Sequence, residues 1–183
     1  MGQEEKTNQQ FEQIKEICLE IFLKKMQDYG SAWRILRSSS LTDQIYIKAQ
    51  RIRSIQNKGT QKIDEGIKPE FIGIVNYSVM ALVQLEMGHA NQADLSPEQA
   101  KEKYIHYYDK ARMLMQDKNH DYDEAWREMR VSSLADIILM KLLRIKQIED
   151  NQGQTTISEG IDANFYDIIN YGVFALIKLD LES

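Results

Sequence analysis

The chain contains an internal repeat, and this repeat constrains its fold more than any other feature of the sequence. "DYGSAWR" begins at Asp28, and "DYDEAWR" begins 93 residues later at Asp121. After one inserted residue, "NYSVMALVQLE" from Asn76 aligns with "NYGVFALIKLD" from Asn170 at a shift of 94. Self-similarity at a fixed spacing is the signature of a duplicated structural unit. We therefore expect a first repeat over 1–88, a linker over 89–96 and a second repeat over 97–183.

Each repeat is predicted to be helical, because its apolar residues recur at steps of three and four. Ser96, Pro97 and Gln99 add a capping box with proline at the first helical position. Strand signals are weak. After its first long helix, each repeat predicts a short helix, a longer helix and a very apolar last helix, over about 32–36, 41–57 and 69–87 in the first repeat and about 125–129, 134–150 and 162–181 in the second.

The predicted fold is all-α, a tandem duplication of a roughly four-helix unit packed as a pseudo-twofold helical bundle. Two units of this size joined by a short linker are expected to bury a common surface, as an internal pseudo-dimer. The pattern leaves further homo-oligomerisation open.

Composition narrows the possible partners of the chain. It is 43% hydrophobic and 28% charged, with a formal net charge of −5, and this mild acidity argues against nucleic acid as the main partner. The single cysteine, Cys18, excludes an intramolecular disulfide and is typical of a reducing cytoplasm. No apolar run is long enough to span a membrane. We expect a cytoplasmic protein with no membrane partner.

Two cations are kept in both repeats on one face of the same helix. Lys48 and Arg51 correspond to Lys141 and Arg144, and each pair is spaced i, i+3. The flanking sequence around Lys141 is so apolar that these cations are expected at the edge of the core, where each needs an anion. That anion is either a carboxylate of the chain, in a structural salt bridge, or the phosphate of a ligand.

An asparagine is also kept in both repeats, in the middle of a very apolar helix. Asn76 and Asn170 are costly to bury unless their amides are hydrogen-bonded. Their expected partners are Arg51 and Arg144, a substrate base, or a metal-bound water. The sequence alone does not choose among these.

Several carboxylates are candidates for a metal site. Asp43 and Asp136 follow Ser40 and Ser133 in Ser-x-x-Asp patterns, which predict helix capping boxes or, alternatively, a metal or salt-bridge role.

The second repeat holds further acids, Glu159, Asp162 and Asp167, at spacings that bring carboxylates to one helix face, as an oxygen-ligand site for Mg²⁺ requires. Acids near a helix start also favour the helix dipole, although Asp167 lies too deep for that. Asp162 corresponds to Lys68, and Asp167 to Gly73. If a metal site exists, it is therefore expected in the second repeat, with the first repeat as a scaffold.

The motif order resembles that of the nucleotide modification associated domain, a small helical domain found singly or in tandem. The resemblance covers nearly the whole chain twice and is carried by Asp28-Tyr29-Gly30, Lys48, Arg51 and Asn76-Tyr77, and by Asp121-Tyr122, Lys141, Arg144, Glu159, Asp162, Asp167 and Asn170-Tyr171. At one remove, the chain is similar to all-α nucleotide pyrophosphohydrolases of the MazG and dimeric dUTPase type. Those enzymes hold Mg²⁺ with E-x-x-E and E-x-x-D helices. Glu159-x-x-Asp162 matches the second pattern, but no E-x-x-E helix is evident.

These observations predict a helical protein that binds a small-molecule nucleotide, with Mg²⁺-dependent hydrolysis of a nucleoside triphosphate as the chemistry that the resemblance implies. In this hypothesis the metal ligands are Glu159, Asp162, Asp167 and Asp136, the phosphate-binding residues are Lys141, Arg144, Lys48 and Arg51, and the residues that orient water or base are Asn170 and Tyr171. The alternative is a non-catalytic helical scaffold or interaction protein, in which the retained polar residues are caps and interhelical salt bridges.

Overall fold

The computed structural model describes residues 2–59, 63–153 and 160–182, with side chains described for all of these except 63–65 and 121–122. In this part of the chain every regular element is a helix. The long helices are α1 (Gln3–Tyr29), α2 (Ser38–Lys58), α3 (Ile63–Met87), α4 (Pro97–Tyr122), α5 (Val131–Asp150) and α6 (Ile161–Leu176), and the short ones are two 3₁₀ helices, Ala32–Ile35 and Ala125–Glu128, and a π-helical turn, Ile177–Leu181.

The expected all-α tandem fold is confirmed, with three long helices and one 3₁₀ helix in each repeat. The two copies share one continuous hydrophobic core. Helices α3 and α6 pack against each other, and α2 packs against α5, so equivalent helices meet across a pseudo-twofold relation. Because the core is continuous, the boundaries at 88 and 97 separate repeats, and as domain boundaries they stay a prediction. No helix in the described ranges is long and apolar enough to cross a membrane.

The capping box at the start of α4 is confirmed. The Ser96 hydroxyl accepts a hydrogen bond from the backbone N–H of Gln99 at 3.2 Å, and the Gln99 side chain accepts from the Ser96 N–H at 2.9 Å. Pro97 occupies the first helical position, where the N–H that it lacks has no helical partner to lose.

The two capping boxes predicted for α2 and α5 are wrong. These helices begin at Ser38 and Val131, and their cap positions are Arg37 and Arg130, whose side chains make no capping hydrogen bond. Ser40 and Ser133 therefore lie already inside the first turn, where the backbone cannot adopt the extended cap conformation.

The predicted start of the last helix of the first repeat is also wrong. Helix α3 begins at Ile63, and Pro69 lies inside it. A proline removes one backbone donor and disfavours the helical turn before it, which is why the sequence predicted a start there. The apolar residues that follow bury this helix in the shared core, and that packing outweighs the local preference.

The aspartates of the failed capping boxes form reciprocal ion pairs between the repeats. Asp43 of α2 lies 3.1 Å from Lys146 of α5, and Asp136 of α5 lies 3.7 Å from Arg53 of α2. Because Lys146 is the repeat equivalent of Arg53, the same pair occurs twice with the repeats exchanged, as in a twofold-symmetric dimer interface. Exposed pairs of this kind contribute at most about 1 kcal/mol. They fix the register of α2 against α5 more than they add stability.

The arginine of the repeated Ala-Trp-Arg motif forms hydrogen bonds to another segment of the chain in each repeat. Arg34 is almost fully buried, and it donates to the carboxylate of Asp94 in the linker at 2.8 Å and to the Gly88 carbonyl at 2.7 Å. Its counterpart Arg127 donates to Thr7 and Gln10 of α1, at 2.8 Å in each case. One motif thus holds the linker in the first repeat and the N-terminal helix in the second.

The two retained asparagines bind equivalent backbone carbonyls. The Asn76 side-chain amide donates to the carbonyl of Cys18 at 3.1 Å, and the Asn170 amide donates to that of Ala111 at 2.9 Å. Cys18 and Ala111 are themselves repeat equivalents, in α1 and α4. Each asparagine therefore ties the last helix of its repeat to the first helix, and the partner of its amide is a backbone carbonyl, which was not among the three expected partners.

The side-chain oxygens of these asparagines differ between the repeats. The Asn76 oxygen accepts a hydrogen bond from the Tyr104 hydroxyl at 2.6 Å. The repeat equivalent of Tyr104 is Phe11, which has no hydroxyl. The buried Asn170 oxygen accordingly has no hydrogen-bond partner among the described residues.

This difference predicts how two substitutions change the free energy of unfolding. Phe11→Tyr is expected to supply the missing hydroxyl and to raise the free energy of unfolding by about 0.5–1.5 kcal/mol. Tyr104→Phe, the matched opposite change, leaves the Asn76 oxygen unsatisfied and should lower it by about 1–3 kcal/mol. Urea unfolding followed by circular dichroism measures both. Equal destabilisation by the two variants would contradict the assigned equivalence.

Cys18 generates a second prediction. Its side chain is fully buried, and burial raises the pKa of the thiol to about 12. The thiolate is the reactive form of cysteine. Iodoacetamide at pH 8 should therefore label Cys18 in the native chain only at the rate at which the surrounding structure opens. Pulse labelling across a urea series should follow the unfolding curve. Rapid labelling without urea would show that the first repeat is not packed as described.

Candidate functional site

Two clefts occupy equivalent places in the two repeats. The first cleft has a volume of about 380 Å³ and the second about 220 Å³. The first cleft is lined by residues of α1, α2 and α3, among them Lys25, Lys48, Lys68, Gly73, Asn76 and Tyr77. The second is lined by residues of α4, α6 and the nearby 3₁₀ helix, among them Lys118, Trp126, Asp167, Asn170 and Tyr171.

The first cleft is cationic. Three lysines line it, one from each helix, and no carboxylate is among those lining residues whose side chains are described. Lys48 lies 3.5 Å from Glu70, and Lys68 lies 2.5 Å from Asp180, so each has one anionic neighbour at the margin. Lys25 makes no ion pair with the described part of the chain.

Gly73 allows Lys48 to lie across the face of α3. A Cβ atom added at Gly73 would stand 2.6 Å from the Cε atom of Lys48, closer than such atoms approach in real structures. The Lys48 ammonium also lies 5.6 Å from the centre of the Tyr77 ring, within cation–π range. The remaining wall of the first cleft is apolar, with Ile21 and Met80 among its residues.

The second cleft contains an internal anion where the first has Gly73. The two oxygens of the Asp167 carboxylate lie 2.6 Å from the Lys118 ammonium and 2.8 Å from the Lys141 ammonium. Lys118 and Lys141 are the repeat equivalents of Lys25 and Lys48. Asp167 is only 7% exposed, so its charge is neutralised within the chain.

Tyr171 borders the second cleft as a half-buried hydrogen-bond donor. Burial, followed by the nearby Asp167 carboxylate, raises the pKa of its hydroxyl above the ordinary value. The phenol therefore keeps its proton near neutral pH. Its neighbour Asn170, the other residue expected to orient water or base, has its amide engaged by the Ala111 carbonyl.

The carboxylates expected to hold Mg²⁺ have separate surroundings. Asp136 pairs with Arg53 between α5 and α2, and Asp167 is bound by two lysines. Asp162 lies in the first turn of α6 and lines another cleft, which Glu86 also borders. Glu159 lies outside the described residues. Among residues whose side chains are described, no group of three or more His, Cys, Asp or Glu is placed to hold a metal ion.

The four cations expected to bind phosphate also have different surroundings. Lys48 and Arg51 share the Glu70 carboxylate, at 3.5 and 3.3 Å, whereas Lys141 is bound to Asp167. Arg144 is exposed on α5. Of these two clefts, the first has its retained lysine, Lys48, among its described lining residues together with Lys25 and Lys68, whereas Lys141 is not among those of the second.

Sequence reasoning missed the lysines of the first long helices. Lys25 and Lys118 match at the shift of 93, so the repeat comparison that found Lys48 and Lys141 could have found them as well. Lys68 was noted only as the counterpart of Asp162. Their convergence depends on how α1 and α3 cross, and no local pattern reports that crossing.

The chain belongs to the family described as nucleotide modification associated domain 1. The model of that family matches twice, over residues 25–85 and 118–179, which confirms both the family and the duplication. The matched segments begin at the paired lysines, Lys25 and Lys118. No curated protein and no solved structure matches the chain. Similarity to MazG-type pyrophosphohydrolases stays a prediction.

Proposed function

We propose that the chain binds a nucleotide in the first cleft, with Lys25, Lys48 and Lys68 holding its phosphates. The observation that carries this proposal is the pair of equivalent clefts. Lys118 and Lys141 are bridged by the Asp167 carboxylate, which lines the second cleft, whereas the equivalent position in the first cleft is Gly73, against which Lys48 lies. The first cleft therefore has the cations of an oxyanion site without the internal anion.

The charge of the first cleft is a local feature. The whole chain carries a net charge of −5, so three lysines in the lining of one cleft do not follow from a basic composition. Like charges that line one cleft repel one another, and an anion with several oxygens relieves that repulsion. Lysine binds phosphate as a compact point charge with three donors.

The rest of the first cleft suits the nucleoside part of such a ligand. Tyr77 offers an aromatic face, and an apolar wall lies beside the lysines. A volume of about 380 Å³ falls in the usual range for small-molecule sites. The family description, which refers to nucleotide modification, supports a nucleotide over other phosphorylated molecules.

Mg²⁺ and hydrolysis are not part of this proposal. Asp136, Asp162 and Asp167 are dispersed among three surroundings, so they do not fit a common Mg²⁺ site. Mg²⁺-dependent triphosphate hydrolysis and the cytoplasmic location stay predictions. The reciprocal ion pairs between α2 and α5 favour the scaffold alternative, in which the first cleft binds no ligand.

Titration calorimetry tests the proposal with ADP and with pyrophosphate. Both should bind, and ADP should bind more tightly if Tyr77 and the apolar wall contact the nucleoside. A hydrogen bond to a charged group contributes about 1.5–3 kcal/mol, so Lys25→Gln and Lys48→Met should each weaken binding about tenfold or more. Raising the salt concentration should weaken it further.

Lys24→Gln is the matched control. Lys24 is adjacent in sequence and exposed, and it pairs with Glu20 on α1, so its loss removes the same charge outside the first cleft. Its binding constants should stay near those of the unaltered chain. If Lys24→Gln and Lys25→Gln lower the affinity equally, the effect is only that of the overall charge of the chain. Failure of ADP and pyrophosphate to bind the unaltered chain would favour the scaffold alternative.

A further inference from the structure

We infer that the second cleft is an anion site of the same design, closed by the chain's own Asp167 carboxylate, so that each chain binds one nucleotide rather than two. This inference rests on the proposed function of the first cleft. It assigns Asp167 the role of an internal ligand rather than that of a metal ligand.

The frame of the site is the same in both repeats. The equivalent pairs are Lys25 and Lys118, Lys48 and Lys141, Asn76 and Asn170, and Tyr77 and Tyr171. Both asparagines make the same hydrogen bond to the first helix of their repeat. The two sites differ at the position between the lysines, which is Gly73 in α3 and Asp167 in α6, and at Lys68, whose counterpart in the second repeat is Asp162.

Asp167 occupies its site as a bound anion would. Each carboxylate oxygen contacts a different lysine, at 2.6 and 2.8 Å, which are distances of charge-assisted hydrogen bonds. A carboxylate attached to the same folded chain competes at a very high effective concentration, so a free phosphate cannot readily displace it.

The second cleft also has unused hydrogen-bonding capacity. The indole N–H of Trp126 and the side-chain oxygen of Asn170 are buried, line this cleft, and have no hydrogen-bond partner among the described residues. Trp126 and Asn170 are each about nine-tenths or more buried, at 5% exposure. Of these two groups, the Trp126 N–H is a donor that suits an oxyanion, whereas the Asn170 oxygen is an acceptor and lacks the hydroxyl that Tyr104 supplies to Asn76.

The first cleft can be closed by the reverse change. The three atoms nearest to a Cβ added at Gly73 all belong to the flexible end of Lys48, which can move aside. Gly73→Asp should therefore place a carboxylate between Lys25 and Lys48, as Asp167 stands between Lys118 and Lys141. One position in each repeat then determines which cleft is open.

Calorimetric stoichiometry of pyrophosphate on the full chain tests this inference. The unaltered chain should bind one pyrophosphate, Asp167→Ala two, and Gly73→Asp none. Asp167→Asn, which keeps the size of the side chain and removes its charge, should also gain a second, weaker site. Pyrophosphate should raise the melting temperature of Asp167→Ala more than that of the unaltered chain, because it replaces the lost anion.

The double variant gives the sharpest distinction. The double variant Gly73→Asp, Asp167→Ala should bind one pyrophosphate, in the second cleft. Adding Lys118→Gln to the double variant should abolish this binding. Adding Lys25→Gln to it instead should leave the binding intact. Circular dichroism confirms that each variant is folded.

Two results separate the failure of this inference from that of the proposed function. If Asp167→Ala and Asp167→Asn are folded and still bind a single pyrophosphate, the internal-ligand role is overturned and the first-cleft proposal stands. If the unaltered chain binds none and Asp167→Ala binds one, closure by Asp167 is supported and the first-cleft proposal is overturned.

Discussion

The packing of α3 against α6 is the interaction on which the rest of the structure depends. Both helices are largely apolar and buried, and each supplies to the other the surface that its own repeat lacks. Their approach is close: a Cβ atom at Gly172 would stand 2.9 Å from a methyl group of Val75. A larger residue at this position would push the helices apart. Because every other helix packs around this pair, that contact sets the pseudo-twofold relation for the whole chain.

That relation explains why two similar clefts exist and why they can differ in function. Equivalent helices cross in the same way in each repeat. Lys25 and Lys48 of the first repeat therefore occupy the same positions as Lys118 and Lys141 of the second. A functional difference then requires only a change at one position of the frame, and Gly73 and Asp167 supply it. The reciprocal ion pairs between α2 and α5 and the two interhelical asparagines belong to the common frame. We therefore assign these retained ion pairs and asparagines to architecture, and the proposed difference in function to the position of Gly73 and Asp167.

The sequence predicted much of this fold because a repeat provides its own comparison. Helix types, their order and the capping box at Ser96 followed from periodicity and local chemistry. The start of α3 did not, because burial of the following residues in the shared core outweighed the local signal at Pro69. The starts of α2 and α5 did not either, because these helices begin at Ser38 and Val131, before the serines of the predicted capping boxes. The site was less predictable still. That Asp167 meets Lys118 depends on how α4 lies against α6, and the spacing of acids along α6 suggested a metal instead.

We propose that an oxyanion binds between the lysines of the first repeat while the chain's own carboxylate fills the equivalent place in the second. Nuclear magnetic resonance of the lysine ammonium groups during a pyrophosphate titration measures this directly. Shifts are expected for Lys25, Lys48 and Lys68, with Lys118 and Lys141 unchanged. Equal shifts in both groups, or shifts confined to Lys118 and Lys141, would contradict it.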